Sequence, residues 1–267
     1  MPEGPSIVIL KELVQCFKGK KVLEVDGNSK QEIQRIAGKK IIDFKSWGKH
    51  FLICFKNFSV RIHLMLFGSY RINEYKETKA RLSLRCKEGE INFYACSVQF
   101  IEEDVNEIYD WTADVMNDRW DRQKALNKLK ICPGTLACDA LLDQNIFAGV
   151  GNIIKNEVLF RIYVHPESNV GALPEKQLDL LVDQARTYSF DFFEWKKKYV
   201  LKKHWLAHTK KTCPRCHIPF TKKYPGKTKR RSFFCTNCQY YIEITNRIPL
   251  GIIEVLNILK KNRLEKQ

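Results

Sequence analysis

Cys213-Pro-Arg-Cys216 and Cys235-Thr-Asn-Cys238, separated by eighteen residues, constrain this chain more than any other feature. Two CxxC knuckles at that separation fit four thiolates around one tetrahedral Zn²⁺. A closed shell of four leaves no open position, so the expectation is one structural zinc per chain. Its task is to hold the intervening segment, "HIPFTKKYPGKTKRRSFF", which ends in β-like runs and reads as a hairpin. The segment carries seven basic residues counting His217, with Arg230 and Arg231 near its base as a grip for phosphate. Coincidental core cysteines or a disulfide pair are the alternatives. No βαβ pattern surrounds either knuckle, so a thioredoxin-type redox pair is not indicated. The other six cysteines (Cys16, Cys54, Cys86, Cys96, Cys132, Cys138) are scattered, mostly among apolar neighbours as in "FLICF" and "FYACS". They are expected to be reduced core thiols of a cytosolic chain.

The net charge is +16, and its placement matters more than its size: residues 196–231 hold fourteen Lys or Arg and no Asp or Glu. Such a segment points to a polyanion, because each neutralised phosphate releases condensed counterions. Nucleic acid is the favoured partner on charge, with a solvated basic face or a membrane-surface patch as the alternatives. No apolar stretch approaches the roughly 20 residues of a membrane span. The first residues lack the charged-then-apolar order of a secretory signal, so a cytoplasmic location is expected. At 267 residues and 44% hydrophobic, the chain suffices for two modest domains with real cores.

Three textures follow one another along the chain. "SIVILKELVQCF" places Ile7, Leu10, Leu13, Val14 and Phe17 at helical spacing, with Pro5 suited to the first turn and Gly19 to the stop. From about residue 20 to 101, short alternating runs separated by "DG", "KN" and "EG" read as an antiparallel sandwich or barrel. From Trp111 the runs become helical: "RWDRQKALNKLK", "LACDALLDQNI", "NIIKNEVLFRI" and "PEKQLDLLVDQARTYSFDFFEWKKKY". The expected class is α+β. It comprises an N-terminal antiparallel β-sandwich with a leading helix (1–112), a helical domain (113–208), a four-cysteine zinc finger (209–244) and a basic amphipathic tail (245–267). Within the helical part, "FAGVG" is expected to join a helix ending near Asn145 to one starting at Asn152. Gly149 and Gly151 would let backbone approach a ligand, and the amides of the helix start suit a phosphate. An ordinary helical hairpin with a glycine-rich corner explains the same residues.

"MPEGP" at the start, "LLDQ…AGVGNIIKNEVLFR…HP" in the middle and "RRSFFCTNCQ" near the end occur in that order. Together they resemble the formamidopyrimidine-DNA glycosylase and endonuclease VIII family of base-excision repair enzymes, over about residues 2–240. The resemblance implies a helix–two-turns–helix element at 135–161, a zinc finger at 213–238, and damaged double-stranded DNA as the partner of a monomer. It also implies a DNA-associated location, at the nucleoid, and a glycosylase with AP lyase activity. Met1 would be removed, and the Pro2 amine would attack C1′ of the damaged nucleotide. The chemistry is sound: an α-amine, with a pKa near 8, is partly neutral near pH 7, whereas a lysine is almost wholly protonated. Glu3 beside it would serve as a proton donor at the sugar ring oxygen. To donate it must hold its proton, while a helix start favours the carboxylate.

Other positions take roles from the same resemblance. Lys49 in "WGKHFLICF" matches a lysine that contacts phosphate and assists the lyase step, and Asn152 and Arg230 match a pair of phosphate anchors. Arg230 fits the family's spacing to Cys235 better than Arg231 does. Leu66 matches the wedge that fills the hole left by an extruded base, with Met65 and Phe67 beside it; by hydrophobic pattern alone these three read as core strand. Glu157 has a match near the active site, or else a structural part in orienting the proline. "NFYACSVQFIEED" lacks the Arg-x-Phe-Gly stretch of the formamidopyrimidine branch, and Cys138 stands where that branch has lysine. No Gly-rich lesion-capping loop occurs in 187–212, and "WLAHTKKTC" departs from the usual approach to the finger. These departures favour the endonuclease VIII side and oxidised pyrimidines, although the Met65-Leu66-Phe67 triad is not that branch's usual Gln-Leu-Tyr. A silent damage-binding module, the 8-oxoguanine branch, and a zinc-ribbon transcription or ribosome factor are the competing readings.

Overall fold

The fold is a computed structural model that describes residues 2–244; the tail expected over 245–267 lies outside the described residues. The leading helix α1 spans Gly4–Leu13 and starts two residues earlier than the apolar spacing suggests. Pro5 lies in its first turn, where a missing N–H costs no hydrogen bond. Ile7, Leu10, Val14 and Phe17 are buried at the expected positions, but Leu13 is half exposed. The chain then passes through a short 3₁₀ turn, Gln15–Phe17, to Gly19, whose φ of +80° is the left-handed conformation that glycine permits.

Six strands follow: β1 (Glu24–Asp26), β2 (Asp43–Trp47), β3 (His50–Cys54), β4 (Ser59–Ile72), β5 (Leu82–Cys86) and β6 (Gly89–Ile101). They form one antiparallel sheet in the order β1-β5-β6-β4-β3-β2. Ahead of the edge strands β1 and β2, the backbone pairs again: Gly19 N–H donates to Ile41 O, Ile41 N–H to Lys20 O and Val22 N–H to Lys39 O. Val25 of β1 and Phe44 of β2 share one core with Ile7, Phe51, Ile62 and Phe93. The sandwich is therefore a single sheet curled around one core and tied at its edges. On its other face, the short helix α2 (Val105–Ile108) and Trp111 cover Leu52, Cys54 and Ile101. In β4 the pairing with β6 slips between Leu64 and Ser69.

The chain divides into two compact units. The first holds residues 1–121 together with 147–151 and 189–201. The second holds the remainder: α3 (Arg122–Ile131), α4 (Ala137–Ala140), α5 (Asn152–Arg161), the first part of α6 (Glu175–Lys197), and the hairpin β7 (Thr221–Lys223) and β8 (Ser232–Phe234). Arg122 donates to Asp179 at 2.7 Å and to Asp183 at 2.6 Å, joining α3 to α6. The helix expected to end near Asn145 is shorter than its sequence suggests. After Ala140 the chain turns, and the Asp143 carboxylate accepts the Asn145 N–H at 2.8 Å, a local bond that competes with helix. Of the six scattered cysteines, Cys54, Cys86, Cys96 and Cys138 are buried as expected, but Cys16 and Cys132 are exposed and belong to no core. Among the described residues no helix is long and apolar enough to cross a membrane.

Candidate functional site

In the first unit, three stretches of backbone meet without side chains between them. Gly4 N–H donates to Gly149 O at 2.8 Å, and a Cβ on Gly4 would lie 2.8 Å from the Gly149 Cα. Gly48, in the turn between β2 and β3 at a φ of +53°, lies against the same loop, where a Cβ would reach Gly149 N at 3.0 Å. Its N–H donates to Asp114 at 3.1 Å. Glu3 stands at the N-cap of α1, wholly buried, and its carboxylate accepts the Gly151 N–H at 3.2 Å. A Cβ on Gly151 would meet the Glu3 carboxyl carbon at 2.4 Å. The glycines of "FAGVG" thus admit the protein's own backbone and Glu3, not a ligand as the sequence suggests.

This packing brings Pro2, Glu3 and Lys49 to one corner. Pro2 is half-buried and lines a cavity of about 350 Å³ with Leu64, Tyr70, Arg71 and Lys196. Lys49 follows Gly48 in the same turn, its carbonyl oxygen 3.3 Å from the His63 ring. Burial pushes His50 down to about 3 and lowers His63, so these rings beside Lys49 are neutral near pH 7. Met65, Leu66 and Phe67 occupy the slip in β4 and are 52%, 54% and 85% exposed. They are not core strand: Gly68 bends so tightly that a Cβ would lie 2.6 Å from Met65 N, and the bulge turns the three side chains outward.

In the second unit, Asn152 begins α5, buried, with no hydrogen-bond partner for its side-chain oxygen among the described residues. The next turn of α5 holds the hairpin. Lys155, wholly buried, donates to Arg231 O at 3.1 Å and to Ser232 Oγ at 2.7 Å. Asn156 accepts the Phe233 N–H at 3.1 Å. Arg230 and Arg231 are exposed at the start of β8, and Arg231 Nε donates to Tyr224 Oη at 3.0 Å. At the hairpin tip, Asp139 accepts the N–H groups of Lys227 and Thr228 at 2.8 and 3.1 Å. The Glu157 carboxylate accepts the N–H groups of Leu206, Ala207 and His208 at 2.8–3.0 Å. It organises that turn within its own unit.

The four ligating atoms of Cys213, Cys216, Cys235 and Cys238 lie within 4.8 Å of one another. Sγ–Sγ separations of 3.8 Å (Cys213–Cys238) and 3.4 Å (Cys216–Cys235) approach the ~3.8 Å edge of a tetrahedron with 2.3 Å metal–sulfur bonds. A backbone hydrogen bond at Ile218 is the main cause pulling the Cys216 thiol down to about 6. The donor set therefore fits a soft, tetrahedral metal. Arg215, inside the first knuckle, stacks on Phe160 and Tyr163 and donates to Phe160 O at 2.9 Å.

Two family profiles match in tandem: "Formamidopyrimidine-DNA glycosylase N-terminal domain" over residues 1–100 and "Formamidopyrimidine-DNA glycosylase H2TH domain" over 112–188. This chain belongs to the formamidopyrimidine-DNA glycosylase and endonuclease VIII family. Relatives place it on the endonuclease VIII-like side. The endonuclease 8-like 3 protein of Xenopus laevis is 27% identical over 82% of this chain and 38% of its own length. The endonuclease 8-like 2 protein of Bos taurus is 31% identical over 67% of this chain and 58% of its own. The chain thus spans less than two fifths of the first of these relatives. Among solved structures, a viral DNA glycosylase shares the fold with a TM-score of 0.79 at 19% identity, over 89% of this chain and all of that one. The Lactococcus lactis formamidopyrimidine-DNA glycosylase, bound to DNA containing an AP site, does so with 0.78 at 21%, over 89% and 99%.

In this family member, Pro2, Glu3 and Lys49 lie in the first unit, and Asn152, Arg230, Arg231 and the four cysteines lie in the second. Lys155, Lys196 and Asp139 carry no signal in their own neighbourhoods. A lysine in a helix reads as solvated, and Lys155 and Asp139 find their partners far along the chain.

Proposed function

We propose that the chain is a base-excision DNA glycosylase with AP lyase activity, acting through the Pro2 amine. With Met1 removed, the neutral amine of Pro2 attacks C1′ of an extruded nucleotide and the C1′–N bond to the base breaks. The base leaves with a proton, and protonation of the ring oxygen by Glu3 opens the sugar to an iminium at C1′. The iminium withdraws electrons, so loss of a C2′ proton expels the 3′ phosphate, and water then releases the sugar fragment from Pro2. Lys49 assists the elimination and contacts phosphate. Asn152 and Arg230 anchor the phosphates around the nucleotide, with Arg231 beside them. Leu66, flanked by Met65 and Phe67, fills the vacated stack. Four thiolates hold one structural Zn²⁺, whose role is to keep the cationic hairpin folded. Oxidised pyrimidines are the proposed substrates, following the sequence departures from the formamidopyrimidine branch.

The observation that carries this reading is the Pro2 corner. Glu3 is wholly buried beside a proline that borders an open cavity, in a packing that two glycine contacts make obligatory. A plain second residue has no need of such a setting. The test is borohydride trapping with an abasic-site duplex, followed by sequencing of the cross-linked peptide. An adduct on Pro2 is expected, and Glu3→Gln should nearly abolish base excision. Binding to damaged duplex without any adduct would leave a silent recognition module; full excision by Glu3→Gln would remove Glu3 as the acid.

A further inference from the structure

The Pro2 cavity carries polar side chains that the reaction above leaves without a task. Its lining includes Ser6, Ser69, Arg71 and Lys196 and no carboxylate. Ser6, in the first turn of α1, is 7% exposed, and its enclosed Oγ has no hydrogen-bond partner among the described residues. Two of the other polar groups are already engaged. Ser69 Oγ accepts from Lys76 at 2.6 Å, and Arg71 donates to Tyr70 O at 3.0 Å and meets Glu74 at 3.5 Å.

Lys196 differs from these. It sits in the last turn of α6, and its neighbour Lys197 pairs with Glu12 of α1 at 2.9 Å, which fixes the helix end beside the cavity. Lys196 itself holds no ion pair among the described residues. Its side chain reaches solvent, yet the protein crowded around it desolvates the ammonium and lowers its pKa. A cation in that position gains most from an acceptor that enters the cavity.

We propose that Lys196 reads the extruded base through its carbonyl oxygens. The inference rests on the glycosylase reading and names the base chemistry that reading leaves open. An ammonium can only donate. Lys196 therefore favours a pyrimidine lesion with a C4 carbonyl over one bearing a C4 amino group, which would set donor against donor.

Single-turnover excision from two duplexes, differing only in 5,6-dihydrouracil or 5-hydroxycytosine, reads this directly. Wild type is expected to favour dihydrouracil. Lys196→Met should lower dihydrouracil excision at least about tenfold more than it lowers 5-hydroxycytosine excision or abasic-site cleavage. Lys196→Arg, which keeps the donors, should restore most of the preference, and Ser6→Ala should cost less than Lys196→Met. An equal loss on all three substrates would make Lys196 a phosphate or lyase group and overturn the proposal. No loss on any of them would overturn it as well. If wild type gives no adduct with an abasic duplex, the glycosylase reading fails, while the present one is still decided by equilibrium binding. There, Lys196→Met must weaken affinity for the dihydrouracil duplex relative to the abasic one.

Discussion

At the Pro2 corner, close-packed glycines hold the chain: Gly4 and Gly48 lie against the backbone of Gly149, and Gly151 lies against the Glu3 carboxyl group. At the cysteine-held hairpin the reverse is true. Side chains hold the backbone: four thiols at one end, Asp139 at the tip, and Lys155 and Asn156 along β8. The first arrangement gives one rigid placement of Pro2 and the Glu3 carboxylate, as the proposed covalent chemistry demands. The second presents exposed cations on a stiff but replaceable frame, which suits phosphate, since phosphate contacts position a protein rather than react with it. The corner should therefore fail through geometry and the hairpin through loss of its staples.

The largest effect is expected at the metal. Cys235→Ser should take bound zinc from one per chain to almost none and abolish DNA binding, because structural zinc contributes about 10–16 kcal/mol to such a fold. Elemental analysis and a binding titration check both. Gly151→Ala probes the corner, where a methyl would have to displace Glu3. Excision should fall about a hundredfold with zinc content and DNA affinity retained. If excision survives, the corner does not need its close approach and the contrast between the two regions breaks.

Lys155→Met should act on the hairpin more mildly. It strands two buried acceptors, at about 1–3 kcal/mol, and should weaken DNA affinity while leaving abasic-site chemistry at saturating DNA largely intact. The smallest effect concerns acid. Above pH 6.5 His50 is neutral both folded and unfolded and contributes nothing. Below it, the unfolded chain binds a proton that the folded chain refuses down to about pH 3. Stability should therefore decline progressively across that window, and His50→Gln should flatten this part of the acid limb in a series of thermal melts.

The hairpin was the more legible region, for a physical reason. Metal-ligand spacing is local, so two CxxC pairs and the basic run between them disclose both the site and its cargo of charge. The curled sheet and the buried face of α1 were also readable from periodicity, apart from Leu13. The corner was legible only as isolated motifs, because the residue each glycine accommodates lies up to 148 positions away. Gly149 and Gly151 consequently read as ligand contacts when they are packing contacts. The Leu64–Ser69 slip hid in an unbroken apolar run, and hydrophobic pattern alone would bury the three side chains that it exposes. Helix α5 is buried on almost every side from Asn152 to Phe160, which erases the one-sided pattern that would have set Lys155 apart as an interior charge.

The account turns on the amine that Pro2 presents once Met1 is gone. The most direct measurement is the intact mass of an actively excising preparation, paired with a variant in which an alanine is inserted ahead of Pro2. A mass lacking the initiator methionine, together with loss of both excision and the borohydride adduct on insertion, is the predicted result. Full excision by protein that retains Met1, or by the insertion variant, would contradict it.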